Sequence, residues 1–503
     1  MKLNNATTAQ LGEHIAHPTY PRQALRQGIV HIGVGGFHRA HEAVYTERLL
    51  RQTQDQDWGI CGIGLRESDR AMAQVLREQD YLYSLMELGQ AEHPCVEVIG
   101  AISDYLFAPD NPTAVLEKLA SPQTRIVSLT ITEGGYLLDD HSGEFDFSNA
   151  DIVHDLAHPG SPRTVFGYLA AALEMRRERD LPAFTLMSCD NLPHNGDKAR
   201  SALLSFAARH DQALADWIAE HVSFPNSMVD RITPITTAAH KQLLQDHATI
   251  DDAWPVVCEP FIQWVMEDDF CNGRPAWEDV GVQFTADVAP YEQMKMRLLN
   301  ASHSAMSYLG YLAGYRYSHE VMQDARLSGL IRRFMDLDVT PTLGTIEGIN
   351  LEQYKDTLIE RFSNPRIGDQ LSRLCMDGSS KIPKFILATL EQRLAEGAPI
   401  ERFALILASW ALYLQRAQQP DADYRVADPL ADQLLAATAE PSGLAGRFLG
   451  LEEIFGQQLQ HCVGFVTAFD AALQQLQEQG VATTLEQMTR VSFPDGDCTC
   501  SLD

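Results

Sequence analysis

The sequence predicts two domains: an α/β domain built on a doubly wound, mostly parallel sheet, followed by a mostly α-helical one. Three observations predict this. Short Val/Ile/Leu-rich runs alternate with helical stretches through the first half of the chain. From about residue 285 long helical periods take over and strand-like runs become rare. The length of 503 residues exceeds what a single hydrophobic core normally serves. The reading therefore assigns residues 1–284 to the α/β domain and 285–503 to the helical one.

The strand candidates, in chain order, are GIVHIGVG, WGICGIGL, CVEVIGAI, RIVSLTIT and FTLMSCDNL. Each is short, rich in branched side chains and bounded by turns, as a strand buried on both faces should be. HEAVYTERLLRQ, after the first, carries a helical apolar period. In the second half such periods cover residues 291–313, 318–335, 351–362, 385–395 and 400–416. The longest apolar run, FALILASWALYL at residues 403–414, is too short to span a bilayer and predicts a buried helix.

The net charge of −29 argues against nucleic acid and anionic membranes as partners. An anionic ligand would have to rely on backbone N–H groups and a few well-placed cations. The nine cysteines are scattered and the N-terminus is polar, which predicts free thiols in a reducing cytoplasm. Cys498 and Cys500, beside acids in the tail DGDCTCSLD, read as part of a frayed terminus rather than a metal site.

Gly33 and Gly35 follow the first strand as in a G-x-G-x-x-G dinucleotide turn, but His38 occupies the third glycine position. This pattern alone fits a nucleotide turn or a plain strand–turn–helix. Glu67 and Asp69, just beyond the second strand, are candidates for binding a ribose diol. An acid there disfavours a 2′-phosphate, while Arg66 and Arg70 blur that preference. His38 and His41 lie three apart without a third ligand at metal spacing, so no metal site is assigned.

The chemistry concentrates in EQMKMRLLNASHSAMSYLGYL. Lys295, Asn300 and His303 interrupt an apolar helical run and fall within an arc of about 140° at the α-helical period. A buried lysine favours its neutral form and can act as a general base. An asparagine N–H can hold an alkoxide or carbonyl oxygen, and a neighbouring histidine can bond a further hydroxyl. This set can take a proton from a secondary alcohol while hydride leaves the same carbon for a nicotinamide. Asn191 in SCDNLPHNG, Asp230 in NSMVDRITP, and Arg373 and Lys381 in SRLCMDGSSKIPKF are candidates to complete it.

Together GVGGFHRAH, TITEGGY, CDNLPHNG, NSMVDRITP, KMRLLNASHSAMSYLG and DGSSKIPKF make the chain resemble the long-chain mannitol and polyol dehydrogenases over essentially its whole length. The resemblance implies a Rossmann-type domain and NAD-dependent, metal-independent interconversion of D-mannitol and D-fructose. It implies Lys295 as general base, Asn300 and Asn191 on the reacting oxygen, and Glu292 gating proton exit from the lysine. His303, Asp230, Arg373 and Lys381 would bind the other polyol hydroxyls. The cofactor would lie against Gly33, Val34, Gly35, Gly36, Phe37, Arg66, Asp69 and Glu133. The family also leans toward monomers. Related enzymes with the same core residues act on hexuronates such as fructuronate or on D-arabinitol. From another class, a nucleotide-binding sensor without catalysis is disfavoured by the intact Lys–Asn–His set. A zinc alcohol dehydrogenase is disfavoured by the lack of a Cys/His cluster at ligand spacing.

Overall fold

The structure, a computed structural model, describes residues 1–53, 55–139 and 142–491, so Cys498 and Cys500 lie outside the described residues. The chain divides into two compact units, residues 1–289 and 290–503.

The first unit holds eleven described strands: β1 (Ile29–Ile32), β2 (Ile60–Gly64), β3 (Tyr83–Glu87), β4 (Cys95–Ile99), β5 (Ile102–Phe107), β6 (Ile126–Leu129), β7 (Thr185–Ser188), β8 (Ser227–Asp230), β9 (Val256–Cys258), β10 (Gln263–Glu267) and β11 (Gln283–Thr285). Five of them form the main sheet in the order β5-β2-β1-β6-β7. All its pairings are parallel. Every residue of β1, β2, β6 and β7 is buried. Successive residues point to opposite faces. Val30 and Val127 join an apolar cluster with Phe166 and Leu169, whereas Ile29 and Ile126 join another with Val44 and Leu49. The strand order reverses between β1 and β6, the switch point at which open α/β sheets bind ligands.

CVEVIGAI departs from expectation, for it is not one strand of the main sheet. Residues 95–99 form β4, antiparallel to β3 in a separate three-stranded sheet, and β5 begins only at Ile102. The break falls at Gly100, where an added Cβ would lie 2.6 Å from Pro18 and 2.7 Å from Arg22 Nε. Arg22 donates to the carbonyls of Gly100 and Ile102 at 3.0 and 2.9 Å, pinning the chain where it changes sheet. β8 and β10 pair antiparallel in a third sheet that carries Asp230 at the end of β8.

No strand occurs among the described residues of the second unit. Its central helix, Glu401–Arg416, is buried from Phe403 to Leu414, as the apolar run predicts. It packs against the helix Ala301–Leu312 and the helical segment Val463–Val491, which is broken by a kink at Gly480. Three helical stretches expected to be regular contain π-turns, at Lys295–Asn300, Phe334–Val339 and Pro383–Leu387. The first packs on both others. A π-turn closes i→i+5 hydrogen bonds in place of i→i+4, a change that apolar periodicity does not register.

Candidate active site

In the first unit the turn after β1 is shaped by its glycines. Gly33 has φ +99°, and a Cβ there would lie 2.1 Å from the Thr130 carbonyl oxygen, so only glycine fits. The Thr130 hydroxyl donates to the Gly33 carbonyl at 2.6 Å, tying the turn to the end of β6. Gly35 and Gly36 are exposed, and a Cβ at Gly35 would meet only the Gly33 carbonyl, at 3.8 Å. The outer side of the turn is thus open backbone, the cradle a pyrophosphate requires. Arg39, buried, holds it from behind through a bond to the Gly35 carbonyl at 3.3 Å. The Val34 side chain is itself buried and faces β2, where Gly62 makes room for it. Only the Val34 backbone can therefore serve a ligand on the open side.

A helix starts at Gly36, ahead of the expected HEAVYTERLLRQ period, breaks at His41, and resumes as Glu42–Gln52. The break buries the His41 ring beside Phe37, Tyr45 and Trp264, with its Nε2 2.9 Å from the Gln263 carbonyl. His38, at the missing glycine position, is buried and stacks on His31 of β1 with ring centroids 3.4 Å apart. A ring pair thus fills the space that a third glycine would close. Burial pushes the His38 and His41 pKa values down to about 4 and about 3, so both are neutral near pH 7.

His31, His38 and Glu42 form the one His/Cys/Asp/Glu group among the described residues compact enough to suggest a metal. Glu42 Oε2 lies 3.1 Å from Nδ1 of each histidine and accepts from the Ser128 hydroxyl at 2.9 Å. The two stacked rings, 14° from parallel, both turn Nδ1 toward Glu42 Oε2, which is thereby engaged as a hydrogen-bond acceptor. The cluster reads as a hydrogen-bonded buttress behind the turn. Sequence reasoning missed it because His31 arrives from the strand.

At the end of β2, Asp69 accepts the Arg66 backbone N–H at 3.0 Å. Gly64 leaves room for it, since a Cβ there would lie 2.8 Å from Asp69 Cβ. Arg70 is engaged by Glu67 and Asp110 and lies over the Phe107 ring. Its guanidinium thus pairs with acids on both sides, whereas Arg66 is exposed.

Asn191 and Glu133 are both exposed at strand ends, and Asp230 is buried. A residue that the sequence did not single out, Asp190, joins the first two segments. Its carboxylate accepts the backbone N–H of Ile131 at 3.0 Å, that of Thr132 at 2.9 Å and the Tyr136 hydroxyl at 2.7 Å. Thr132 sits at φ 63°, ψ 167°, a region costly for any residue but glycine. Asn195, wholly buried, ties the same loop to β8 through bonds to the carbonyls of Asp190 and Ser227 at 3.0 and 2.9 Å.

In the second unit Lys295 opens the first π-turn and Asn300 closes it, and both are buried. The wider π-turn advances less per residue than an α-helix, so Lys295 and Asn300 are closer in angle than the roughly 140° they would span on a regular helix. Glu292, also buried, precedes Lys295 by three residues on the preceding α-helix Ala289–Met294. His303 follows on Ala301–Leu312, its ring 4.7 Å from that of Phe362 and its Nε2 3.8 Å from Asp369 Oδ2. Asp369 is another residue that the sequence did not single out. Its Oδ1 accepts from Arg373 Nε and Nη2 at 2.9 and 2.7 Å. Lys381 Nζ lies 3.4 Å from the carbonyls of Arg373 and Leu374, and burial lowers its pKa from the usual lysine range.

A Rossmann-ordered sheet with an open glycine turn, and a helical unit presenting a buried lysine and asparagine with a partly buried histidine, define a two-domain dehydrogenase. Comparison with known proteins places it more narrowly. Residues 27–279 match the mannitol dehydrogenase Rossmann domain, and residues 287–477 match the mannitol dehydrogenase C-terminal domain. The chain belongs to the mannitol dehydrogenase family. It is 45% identical over 490 residues to a mannitol 2-dehydrogenase of Phaeosphaeria nodorum, covering 97% of this chain and 85% of that one. With a mannitol 2-dehydrogenase of Aspergillus oryzae it shares 43% identity, covering 96% of this chain and 98% of the other. Among solved structures, Pseudomonas fluorescens mannitol 2-dehydrogenase in ternary complex with NAD and D-mannitol is similar at TM-score 0.88 and 54% identity. That match covers 97% of this chain and all of the other. A substrate-free D-sorbitol dehydrogenase matches at TM-score 0.89 and 38% identity, covering 96% of this chain and all of the other.

Proposed function

We propose that this chain oxidises D-mannitol to D-fructose, reversibly, with NAD as hydride acceptor, Lys295 as general base and no catalytic metal. The observation that carries the reading is the π-turn that opens on buried Lys295 and closes on buried Asn300, with Glu292 and His303 on the flanking turns. The 54% identical relative seen with NAD and D-mannitol supports the substrate and the cofactor.

The neutral Lys295 amine takes the proton of the C2 hydroxyl, and the Asn300 and Asn191 amides donate to the oxygen as it gains negative charge. The bound nicotinamide supplies the hydride acceptor. Glu292 passes the lysine's proton outward. His303, Asp230, Arg373 and Lys381 bind the remaining hydroxyls. The open backbone of residues 33–36 and Phe37 receives the pyrophosphate side of NAD, Asp69 and Arg66 border its ribose, and Glu133 orders the strand end beside it. Arg70, engaged by two acids, favours NAD over NADP.

A hexuronate reductase of the same family needs an uncompensated cation for its substrate's carboxylate. Arg373 is already paired with Asp369, which favours the neutral polyol. We further propose a monomer acting in the cytoplasm; no described helix is long and apolar enough to cross a membrane. The test is NADH oxidation with D-fructose, D-fructuronate or D-xylulose in the presence of EDTA. D-Fructose turnover that survives EDTA is expected. Preference for D-fructuronate or D-xylulose moves the assignment to a hexuronate reductase or an arabinitol dehydrogenase. NADH binding without turnover returns the chain to a sensor.

A further inference from the structure

The pairing of Arg373 concerns selectivity as well as position. Surface ion pairs ordinarily contribute little. This one is not of that kind on its acidic side, since the Asp369 side chain is 5% exposed while that of Arg373 is 57% exposed. The carboxylate is held in place by its own backbone: the Asp369 carbonyl accepts from Ser318 N–H at 3.0 Å, and Leu371 N–H donates to the Arg316 carbonyl at 2.9 Å. One carboxylate oxygen takes two guanidinium donors, while the other faces His303 Nε2 at 3.8 Å. Phe362 packs on the His303 ring, and Ser318 Oγ bonds the Phe362 carbonyl at 3.1 Å. Asp369 thus fixes the Arg373 side chain, lies beside the His303 ring, and supplies a fixed negative charge next to a cation.

We infer that Asp369 is a specificity-determining residue that holds Arg373 in place and, by cancelling the Arg373 charge, selects an uncharged polyol over a sugar acid. The charge works in both directions. A hydroxyl needs only the aligned donors of Arg373, which the pair preserves. A substrate carboxylate at Arg373 would meet Asp369 across the same guanidinium, and like charges at that range repel. The inference rests on the proposed polyol dehydrogenase function.

The test substitutes Asp369→Asn, which keeps an acceptor for Arg373 and removes the charge. The ratio of kcat/KM for D-fructose to that for D-fructuronate is expected to fall by at least about tenfold, the factor that about 1.4 kcal/mol supplies. KM for D-fructose should rise more than kcat falls. A purely structural role lowers both substrates alike, so an unchanged ratio overturns the inference. If the asparagine variant does not fold, Asp369→Ser removes the same charge and is read in the same way. If the unaltered protein turns over neither substrate, the functional reading fails by itself. The charge claim is then judged by calorimetric binding of D-gluconate and D-mannitol, where Asp369→Asn must tighten D-gluconate relative to D-mannitol or the inference falls.

Discussion

Asp190→Asn separates what the folded loop needs from what the reaction needs. The Asp190 carboxylate collects three donors on two oxygens: Ile131 N–H and the Tyr136 hydroxyl on Oδ2, and Thr132 N–H on Oδ1. Burial raises its pKa above the usual carboxylate value, against the pull of those donors. An amide of the same shape keeps one oxygen, which goes to the side with two donors. Its NH2 then faces Thr132 N–H, donor against donor. Leaving that donor unsatisfied costs about 1–3 kcal/mol. The strained Thr132 conformation, itself worth about 1–3 kcal/mol, loses the bond that holds it and can relax. The two are partly exclusive, because relaxation relieves strain at the expense of geometry. Urea unfolding should therefore show a loss of about 1–3 kcal/mol, while turnover falls more than stability alone explains as Glu133 and Asn191 shift. Thr132→Gly in the Asp190→Asn background should recover part of the turnover, since glycine adopts φ 63°, ψ 167° without penalty. Full activity in Asp190→Asn would refute the argument, as would a double variant no better than the single.

Three further outcomes are expected. Lys295→Ala should lower mannitol oxidation by at least about a hundredfold, the scale of general-base loss, and near-normal turnover from pH 6 to 10 contradicts that role. Deleting Met296 shortens the π-turn to a regular one, so helical circular dichroism should persist while activity falls by a similar factor; retained activity shows that the wide turn is dispensable. Because buried His38 and His41 have pKa values of about 4 and about 3, against about 6.5 unfolded, the unfolded chain binds more protons below pH 6.5. The stability they permit is complete above that pH and declines as pH falls, by up to about 2 kcal/mol per histidine at pH 5. A urea midpoint unchanged between pH 7 and pH 5 contradicts this.

Much of the molecule was legible from its chain because it depends on local relations. The buried strands β1, β2, β6 and β7 appear as short branched runs, since helices cover both faces of a parallel sheet. Glu401–Arg416 appears as an apolar run because it is surrounded. Lys295, Asn300 and His303 stand out because polar groups interrupt an apolar helical face. Gly33 stands out as a turn residue, although the sequence does not show that Thr130 leaves no room for a side chain.

The sequence by itself determined the α/β-then-α architecture, the glycine turn and the lysine–asparagine–histidine set, all relations among residues a few positions apart. Only the tertiary structure decided that Lys295 and Asn300 lie on one π-turn, that CVEVIGAI divides between two sheets at Gly100, and that His31 stacks on His38. It alone showed Asp190 gripping backbone 59 positions earlier. Asp369 shows the same at shorter range: its bond to Arg373 spans one turn, but its approach to His303 joins residues far apart in sequence. Periodicity records which face a residue occupies and not what meets that face, because the partner is supplied by distant chain and fixed by packing and charge.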